Sequence, residues 1–249
     1  MLTEERHQII LDYLKQDGIV KSQHLMNVIG CSESTVRRDL DQLEDTGMLT
    51  RIHGGAKRTY QLSEELTASE KSFKNIQSKE SIGKLAAGLV ETGEVIFIDA
   101  GTTTYAMLPY LTNKPVTVVT NGIQHASLLT DQGIETYVPG GKIKPSTKAI
   151  IGSQSLSELK NYRFDKAFLG MNGIDPAFGC TTPDPEEAAL KQMAHHQAAA
   201  GFLLTDGSKW NKVNFAKVCE LEDVTIVTDT LPDNLDYYRE KTTIMEAAK

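Results

Sequence analysis

From residue 77 onward, short apolar runs alternate with helical segments, and this alternation constrains the fold more than any other feature of the sequence. The runs cover residues 94–98, 116–119, 167–169, 202–204 and 224–227. Strands that are buried on both faces have near-continuous apolar runs, and parallel neighbours need long crossover connections, usually helices. The sequence therefore predicts an α/β fold with a parallel sheet in this part of the chain.

Residues 1–58 have a different pattern, in which short helices are separated by tight turns. The spacing of Val36, Leu40 and Leu43 predicts a helix with one apolar face, and a second helix precedes it after a short turn. That spacing is typical of a helix-turn-helix. Residues 48–55 predict two short strands that form a wing. We expect three segments: a winged helix-turn-helix domain over 1–58, a polar linker over 59–76 and a second domain over 77–249.

The face opposite the apolar stripe of this helix carries hydroxyl groups and arginines, which a helix in the major groove uses to contact bases and phosphates. Basic side chains on the wing are expected to contact flanking phosphates. The predicted DNA-binding residues are Ser32, Ser34, Thr35, Arg37, Arg38, Arg51, His53 and Lys57. The alternative is that these are ordinary solvated side chains on a small helical domain.

A predicted strand runs directly into Asp99, Gly101, Thr102, Thr103 and Thr104, and a helix is expected to continue through residue 111. Backbone amides and hydroxyls at a strand-to-helix turn form a site for a phosphate group. The simpler alternative is an ordinary helix cap.

Other polar residues follow the predicted strands: Asn121, Gly141, Asn172, Asp175 and Lys209. Ligands of open α/β sheets bind at the carboxyl ends of the strands, so these loops predict a polar pocket. Lys209 suits a phosphate, or it is a surface lysine.

Glu187 and Lys191 share one face of a predicted helix that begins after Asp184. The sequence alone favours a capping box closed by Glu187 and a surface ion pair between Glu187 and Lys191.

Composition excludes several classes of protein. The formal net charge of −7 argues against a protein that coats nucleic acid without specificity, although it allows a local basic face. Three widely spaced cysteines predict neither a disulfide framework nor a zinc site. We expect no secretory signal, no membrane span, no metal, no cofactor and no catalytic nucleophile, and therefore a cytoplasmic protein.

Several strings resemble the DeoR family of bacterial regulators. The N-terminal strings are Val-Arg-Arg-Asp-Leu at 36–40 and His-Gly-Gly-Ala at 53–56, and the resemblance extends through Asp-Ala-Gly-Thr-Thr-Thr at 99–104 and Thr-Thr-Pro-Asp-Pro-Glu-Glu-Ala at 181–188. It covers nearly the whole chain. The resemblance implies a sugar-phosphate-isomerase-like effector domain and a repressor of sugar operons that a phosphorylated sugar releases from DNA.

The resemblance also implies roles for the pocket residues. Residues 101–104 would hold the phosphate, and Asn121, Asn172, Asp175, Glu187, Lys191 and Lys209 would surround the sugar. The strings at 169–175 and 181–188 are most similar to fructose-operon repressors of Gram-positive bacteria, so fructose 1-phosphate is the leading effector. Other ketose or polyol phosphates stay open.

Two other classes of function stay open from the residues alone. The first is a sugar-phosphate isomerase or deaminase with an added DNA-binding module, for which Asp99, Asp175 or Glu187 would supply an acid/base carboxylate. The second is a sugar-phosphate sensor that acts on another protein. For the repressor, we expect a homo-oligomer, because helix-turn-helix proteins usually bind paired half-sites of double-stranded operator DNA.

Overall fold

A computed structural model describes residues 1–58, 67–112, 114–232 and 235–248 of the chain. Contacts between residues divide it into two units, Met1–Gln61 and Leu62–Lys249. The predicted linker spans both units. Its residues 59–66 lie outside the described part of the chain, whereas residues 67–76 belong to the second unit.

The first unit is a winged helix-turn-helix. Its helices and strands are α1 (Thr3–Asp17), β1 (Ile19–Lys21), α2 (Ser22–Ile29), α3 (Glu33–Asp45), β2 (Leu49–Ile52) and β3 (Gly55–Arg58). The predicted hairpin of β2 and β3 is present, and β1 adds a strand on the other side of β3 that the sequence pattern did not predict.

The boundaries of these helices follow from their end residues. Gly18 and Gly30 end α1 and α2 in the left-handed conformation that glycine adopts without steric cost. Ser32 begins α3, because its side-chain oxygen accepts a hydrogen bond from the backbone N–H of Thr35. A small core of buried aliphatic side chains, including Leu25 and Leu40, holds the helices and the sheet together.

The second unit is built on a parallel sheet. Its strands are β4 (Val95–Ile98), β5 (Thr117–Thr120), β6 (Glu135–Tyr137), β7 (Lys142–Lys144), β8 (Ala149–Ile151), β9 (Phe164–Gly170), β10 (Gly173–Asp175), β11 (Gly179–Thr182), β12 (Ala198–Thr205), β13 (Ala216–Cys219), β14 (Thr225–Thr228) and β15 (Ile244–Glu246). Its helices are α4 (Ala68–Ser72), α5 (Ile76–Gly88), α6 (Thr102–Tyr105), α7 (Ile123–Asp131), α8 (Ser153–Leu159), α9 (Pro185–His196) and α10 (Leu235–Arg239).

Seven strands in the described part of this unit form the sheet in the order β15-β14-β12-β9-β4-β5-β6, with every neighbouring pair parallel. Each of the five predicted apolar runs contributes to one of its strands. Two hydrophobic clusters contain buried side chains of these strands. Because all strands run in one direction, their carboxyl ends lie at one edge, which is where the predicted polar loops meet.

One predicted helix is shorter than expected. Residues 102–111 do not form a single α-helix, because α6 ends at Tyr105 and a 3₁₀ turn follows over Leu108–Tyr110. Pro109 explains the break, since its ring would collide with the carbonyl of Tyr105 in a continuous helix. The strand-to-helix turn at Gly101, for which a phosphate site was predicted, is present at the start of α6.

Candidate functional sites

The candidate DNA-binding face is the exposed side of α3. Val36, Leu40 and Leu43 are buried in the core of the first unit, while Arg37 and Arg38 are exposed to solvent. Ser34 is also exposed, and Ser32 and Thr35 lie within hydrogen-bond distance of each other at the start of the helix, with 2.9 Å between their hydroxyl oxygens. The structure therefore brings the five predicted helix residues to one end and one face of α3.

Arg51 on the wing differs from its predicted arrangement. Its Nη1 atom forms an ion pair with the carboxylate of Asp41, and it also donates to the backbone oxygen of Arg37 at 3.4 Å. The guanidinium thus ties the wing to α3 in this structure. His53 and Lys57, the other predicted wing residues, are exposed.

Asp39 is a positioning residue that the sequence analysis missed. Its side chain is buried, and it accepts hydrogen bonds from Arg6 Nε at 2.7 Å and Arg6 Nη2 at 2.8 Å. Two parallel bonds of this kind fix the orientation of both partners. Asp39 lies three residues after Val36 and four before Leu43, which places it on the same side of α3 as the apolar stripe. This spacing could have indicated from the sequence that Asp39 is buried.

A pocket at the carboxyl edge of the sheet collects most of the predicted effector residues. Those that line it are Asp99, Gly101, Thr102, Thr103, Asn172, Glu187, Lys191 and Lys209. They come from the loops after β4, β9 and β12 and from α9. The convergence predicted from parallel strands is therefore present for the six residues that follow β4, β9 and β12, while Glu187 and Lys191 reach the pocket from α9.

Asp99 and Lys191 form a buried ion pair on the wall of this pocket. Lys191 Nζ contacts Asp99 Oδ2, which also accepts a hydrogen bond from the backbone N–H of Gly170 at 3.0 Å. The expected surface ion pair between Glu187 and Lys191 was wrong, because both side chains are buried and Lys191 turns toward the sheet instead. The spacing of residues along α9 cannot show that Lys191 pairs with Asp99, which lies 92 residues away in the sequence.

Glu187 is held by a different set of groups. Its Oε1 atom accepts a hydrogen bond from Thr147 Oγ1 at 2.7 Å and lies 3.2 Å from Lys144 Nζ. The predicted capping box is not formed, since Asp184 alone caps α9 by accepting hydrogen bonds from the backbone N–H groups of Glu186 and Glu187. The carboxylate of Glu187 is thereby free of the helix backbone and faces the pocket.

Lysine side chains also line this pocket, among them Lys71, Lys79 and Lys209. Burial lowers the pKa of Lys209 and of Lys79, although the carboxylate of Asp206 opposes the shift at both. The lysines also repel each other, since Lys71 contributes to lowering both pKa values. Burial raises the pKa of Asp206, but a hydrogen bond from Ser208 and the charge of Lys209 lower it overall.

Four predicted effector residues do not line this pocket. Thr104 and Asn121 instead hydrogen-bond to the backbone just before Gly101. Thr104 Oγ1 donates to Asp99 O at 2.6 Å, and Asn121 Oδ1 accepts from Ala100 N at 3.0 Å. Asp175 is the last residue of β10, and its carboxylate accepts hydrogen bonds from the backbone N–H groups of Ala177 and Phe178 in the turn that follows. Gly141 lies close to Ser155, and a Cβ there would be 2.4 Å from Ser155 Oγ.

His125 is a second residue that the sequence analysis missed. Burial lowers its pKa to about 4, so the ring is neutral near pH 7. Its Nε2 atom lies 3.1 Å from the carbonyl oxygen of Gly101, which can only accept, so this nitrogen carries the proton. Gly122 makes room for the ring, since a Cβ there would be 2.4 Å from His125 Nδ1. The histidine thus holds the turn that begins α6.

Further polar residues line the pocket without having been predicted: Lys71, Lys74, Asn75, Lys79, Thr147, Asp206 and Ser208. The first four come from the segment that the sequence analysis assigned to a linker or to the start of α5. The described residues contain no group of three or more His, Cys, Asp or Glu side chains placed to hold a metal ion. No helix among them is both long and apolar enough to span a bilayer.

Comparison with known proteins covers both units. Residues 6–61 match the DeoR-like helix-turn-helix domain, and residues 74–230 match the DeoR C terminal sensor domain. The chain is 45% identical over 246 residues to an uncharacterized HTH-type transcriptional regulator, FruR, of Bacillus subtilis (strain 168), covering 98% of both chains. It is 32% identical to the lactose phosphotransferase system repressor of Staphylococcus epidermidis (strain ATCC 35984), covering 93% of this chain and 92% of that one.

Among solved structures, ribose 5-phosphate isomerase A of Methanocaldococcus jannaschii matches 55% of each chain with a TM-score of 0.42 and 19% identity. The two domain matches and the full-length relatives agree on both units of the chain. The chain is therefore a member of the DeoR family of helix-turn-helix transcriptional regulators, with an N-terminal DNA-binding domain and a C-terminal sensor domain.

Proposed function

We propose that this protein represses a sugar-utilisation operon, most specifically a fructose operon, and that fructose 1-phosphate releases it from its operator. The observation that carries the proposal is the pocket of the sensor domain, in which five lysines and three carboxylates surround the Gly101–Thr103 turn. The pocket thus has more cationic than anionic side chains, although the whole chain has a formal net charge of −7. A phosphate is the anion that such a turn accommodates best.

The pocket also carries groups that suit a sugar. The carboxylates of Asp99 and Glu187 and the amide of Asn172 provide acceptors and a donor for hydroxyl groups, and ion pairs with Lys191 and Lys144 fix both carboxylates in place. Those ion pairs argue against the isomerase alternative, because a carboxylate that moves protons has to exchange them with the substrate. Relatives named as transcriptional regulators agree with a regulator that has no enzymatic activity.

The choice of fructose 1-phosphate rests on the strings at 169–175 and 181–188, which resemble those of fructose-operon repressors of Gram-positive bacteria, together with the 45% identity to FruR. Tagatose 6-phosphate and fructose 6-phosphate stay among the candidates, because several related regulators share these strings. We further propose that the protein acts in the cytoplasm as a homo-oligomer whose helix-turn-helix domains bind paired half-sites. An effector that binds a conformation unable to span those half-sites lowers operator affinity by mass action.

Calorimetry tests the ligand directly. Titration of the full-length protein with fructose 1-phosphate, fructose 6-phosphate, tagatose 6-phosphate and unphosphorylated fructose should give the tightest binding for fructose 1-phosphate and none for fructose. Equal binding of all three phosphates would refute the fructose assignment, and the absence of binding to any of them would refute the sugar-phosphate sensor. Turnover of any of them would favour the isomerase, and its loss in Glu187→Ala would identify the site.

A further inference from the structure

The segment that follows the DNA-binding domain forms one wall of the sensor pocket. Only residues 59–66 separate the end of β3 from Thr67, and the next residues include Lys71, Lys74 and Asn75, all of which line the same pocket as the Gly101–Thr103 turn. We infer that this segment, residues 67–75, binds the anionic group of the effector and transmits the binding event to the DNA-binding domain. The inference rests on the proposed function and adds to it the residues that couple the two domains.

The segment is held to the sensor domain by polar contacts. None of the five residues of α4 is buried, and Phe73 after it is 79% exposed. The backbone N–H of Ala68 donates to Ser146 O at 2.8 Å, and Asn75 Nδ2 donates to Asp206 Oδ1 at 3.0 Å. A segment with few buried apolar contacts has a low local stability, so a ligand can shift its conformation at modest cost.

Charge explains why an anion would order this segment. Lys71 approaches Lys79, whose Nζ donates to the backbone oxygen of Lys71, and Lys209 faces them from the loop after β12. Lys71 and Lys74 both contribute to lowering the pKa of Lys209, which is the sign of mutual repulsion across the pocket. A phosphate placed between the two sides replaces that repulsion with charge-assisted hydrogen bonds.

The test compares two variants of the full-length protein with the wild type. Lys71→Ala/Lys74→Ala removes both cations of the segment, and Lys209→Ala removes a cation of the sensor domain itself. Lys84→Ala is the matched control, because Lys84 is an exposed lysine on α5 that does not line the pocket. Calorimetry with fructose 1-phosphate and with inorganic phosphate measures binding, and fluorescence anisotropy of labelled operator DNA measures release.

We expect the double variant to bind fructose 1-phosphate roughly tenfold or more weakly and to release the operator incompletely even at saturation. Lys209→Ala should also bind weakly but release the operator fully once saturated, and Lys84→Ala should behave as the wild type. Amide hydrogen exchange in residues 67–75 should slow when the wild type binds fructose 1-phosphate.

Three results would overturn the inference. If the wild type binds fructose 1-phosphate and the double variant binds and releases like it, the segment has no role while the proposed function stands. If the wild type binds inorganic phosphate but not fructose 1-phosphate, the sugar assignment fails. In that case the phosphate affinity of the double variant decides the role of the segment: an unchanged affinity refutes that role, and a weakened affinity supports it. Binding of neither probe refutes both.

Discussion

Replacing Lys191 with methionine should destabilise the sensor domain strongly, because it leaves a buried carboxylate without its cation. Asp99 is 2% exposed and Lys191 is 6% exposed, and the two form an ion pair beneath the pocket. After the substitution, the backbone N–H of Gly170 still donates a hydrogen bond to the Asp99 carboxylate at 3.0 Å. One neutral donor does not compensate for a full charge in a water-poor environment.

The magnitude follows from the burial of both partners. Breaking a buried ion pair by removing one partner costs about 3–5 kcal/mol, whereas replacing both charged groups is far less costly. With a urea dependence of about 2 kcal/mol per molar, a loss of this size lowers the unfolding midpoint by about 2 M. Asp99→Asn/Lys191→Met should therefore recover most of the stability, since asparagine still accepts the hydrogen bond from Gly170.

The chain offers a specific reporter for this measurement. Trp210 is its single tryptophan and lies buried in the sensor domain, so its fluorescence follows the unfolding of that domain in the full-length protein. Lys217→Met is the control, because the ion pair of Lys217 with Glu220 is about half exposed and is expected to contribute less than about 1 kcal/mol. Equal midpoints for Lys191→Met and Lys217→Met would refute the reasoning.

Three further predictions concern DNA, effector and pH. Arg38→Ala should weaken operator binding by about 1–3 kcal/mol if Arg38 contacts a base; unchanged affinity in fluorescence anisotropy would remove it from the DNA-binding face. Thr102→Ala and Lys209→Ala should weaken effector binding in calorimetry while sparing operator binding, and normal responses of both would show that the pocket is assigned wrongly. Burial lowers the pKa of His125 to about 4, so the unfolded chain takes up a proton below about pH 6.5 that the folded protein does not. Stability should therefore fall by about 2 kcal/mol between pH 7 and pH 5, and His125→Gln should remove that loss in urea unfolding; an equal loss in the variant would contradict it.

The sequence predicted the parts of the fold that local patterns determine. Apolar runs located five strands of the central sheet, and the spacing of apolar residues with Ser32 located α3. Because parallel strands place their carboxyl ends together, the sequence also predicted that the loops after β4, β9 and β12 would share one pocket. That argument needs only strand direction and the order of the loops.

Contacts between distant parts of the chain could not be predicted in this way. The partner of Lys191 is set by the packing of α9 against β9 and β12 of the sheet, which brings its ammonium group to Asp99, whereas spacing along α9 suggested Glu187. Lys71 and Lys74 were assigned to a polar linker over 59–76, because exposed polar composition is the same for a linker and for a pocket wall. Asp175 was expected at the ligand, yet its carboxylate is used by the turn that follows β10.

The most direct test of the account is the linkage between operator and effector. Operator affinity of the full-length protein is measured by anisotropy with and without saturating fructose 1-phosphate, and fructose 1-phosphate affinity is measured by calorimetry with and without operator. The account predicts that each ligand weakens the other by the same factor, on the order of 5–150-fold. If both ligands bind and neither affinity changes, the protein does not couple sugar-phosphate binding to DNA release, and the central claim is wrong.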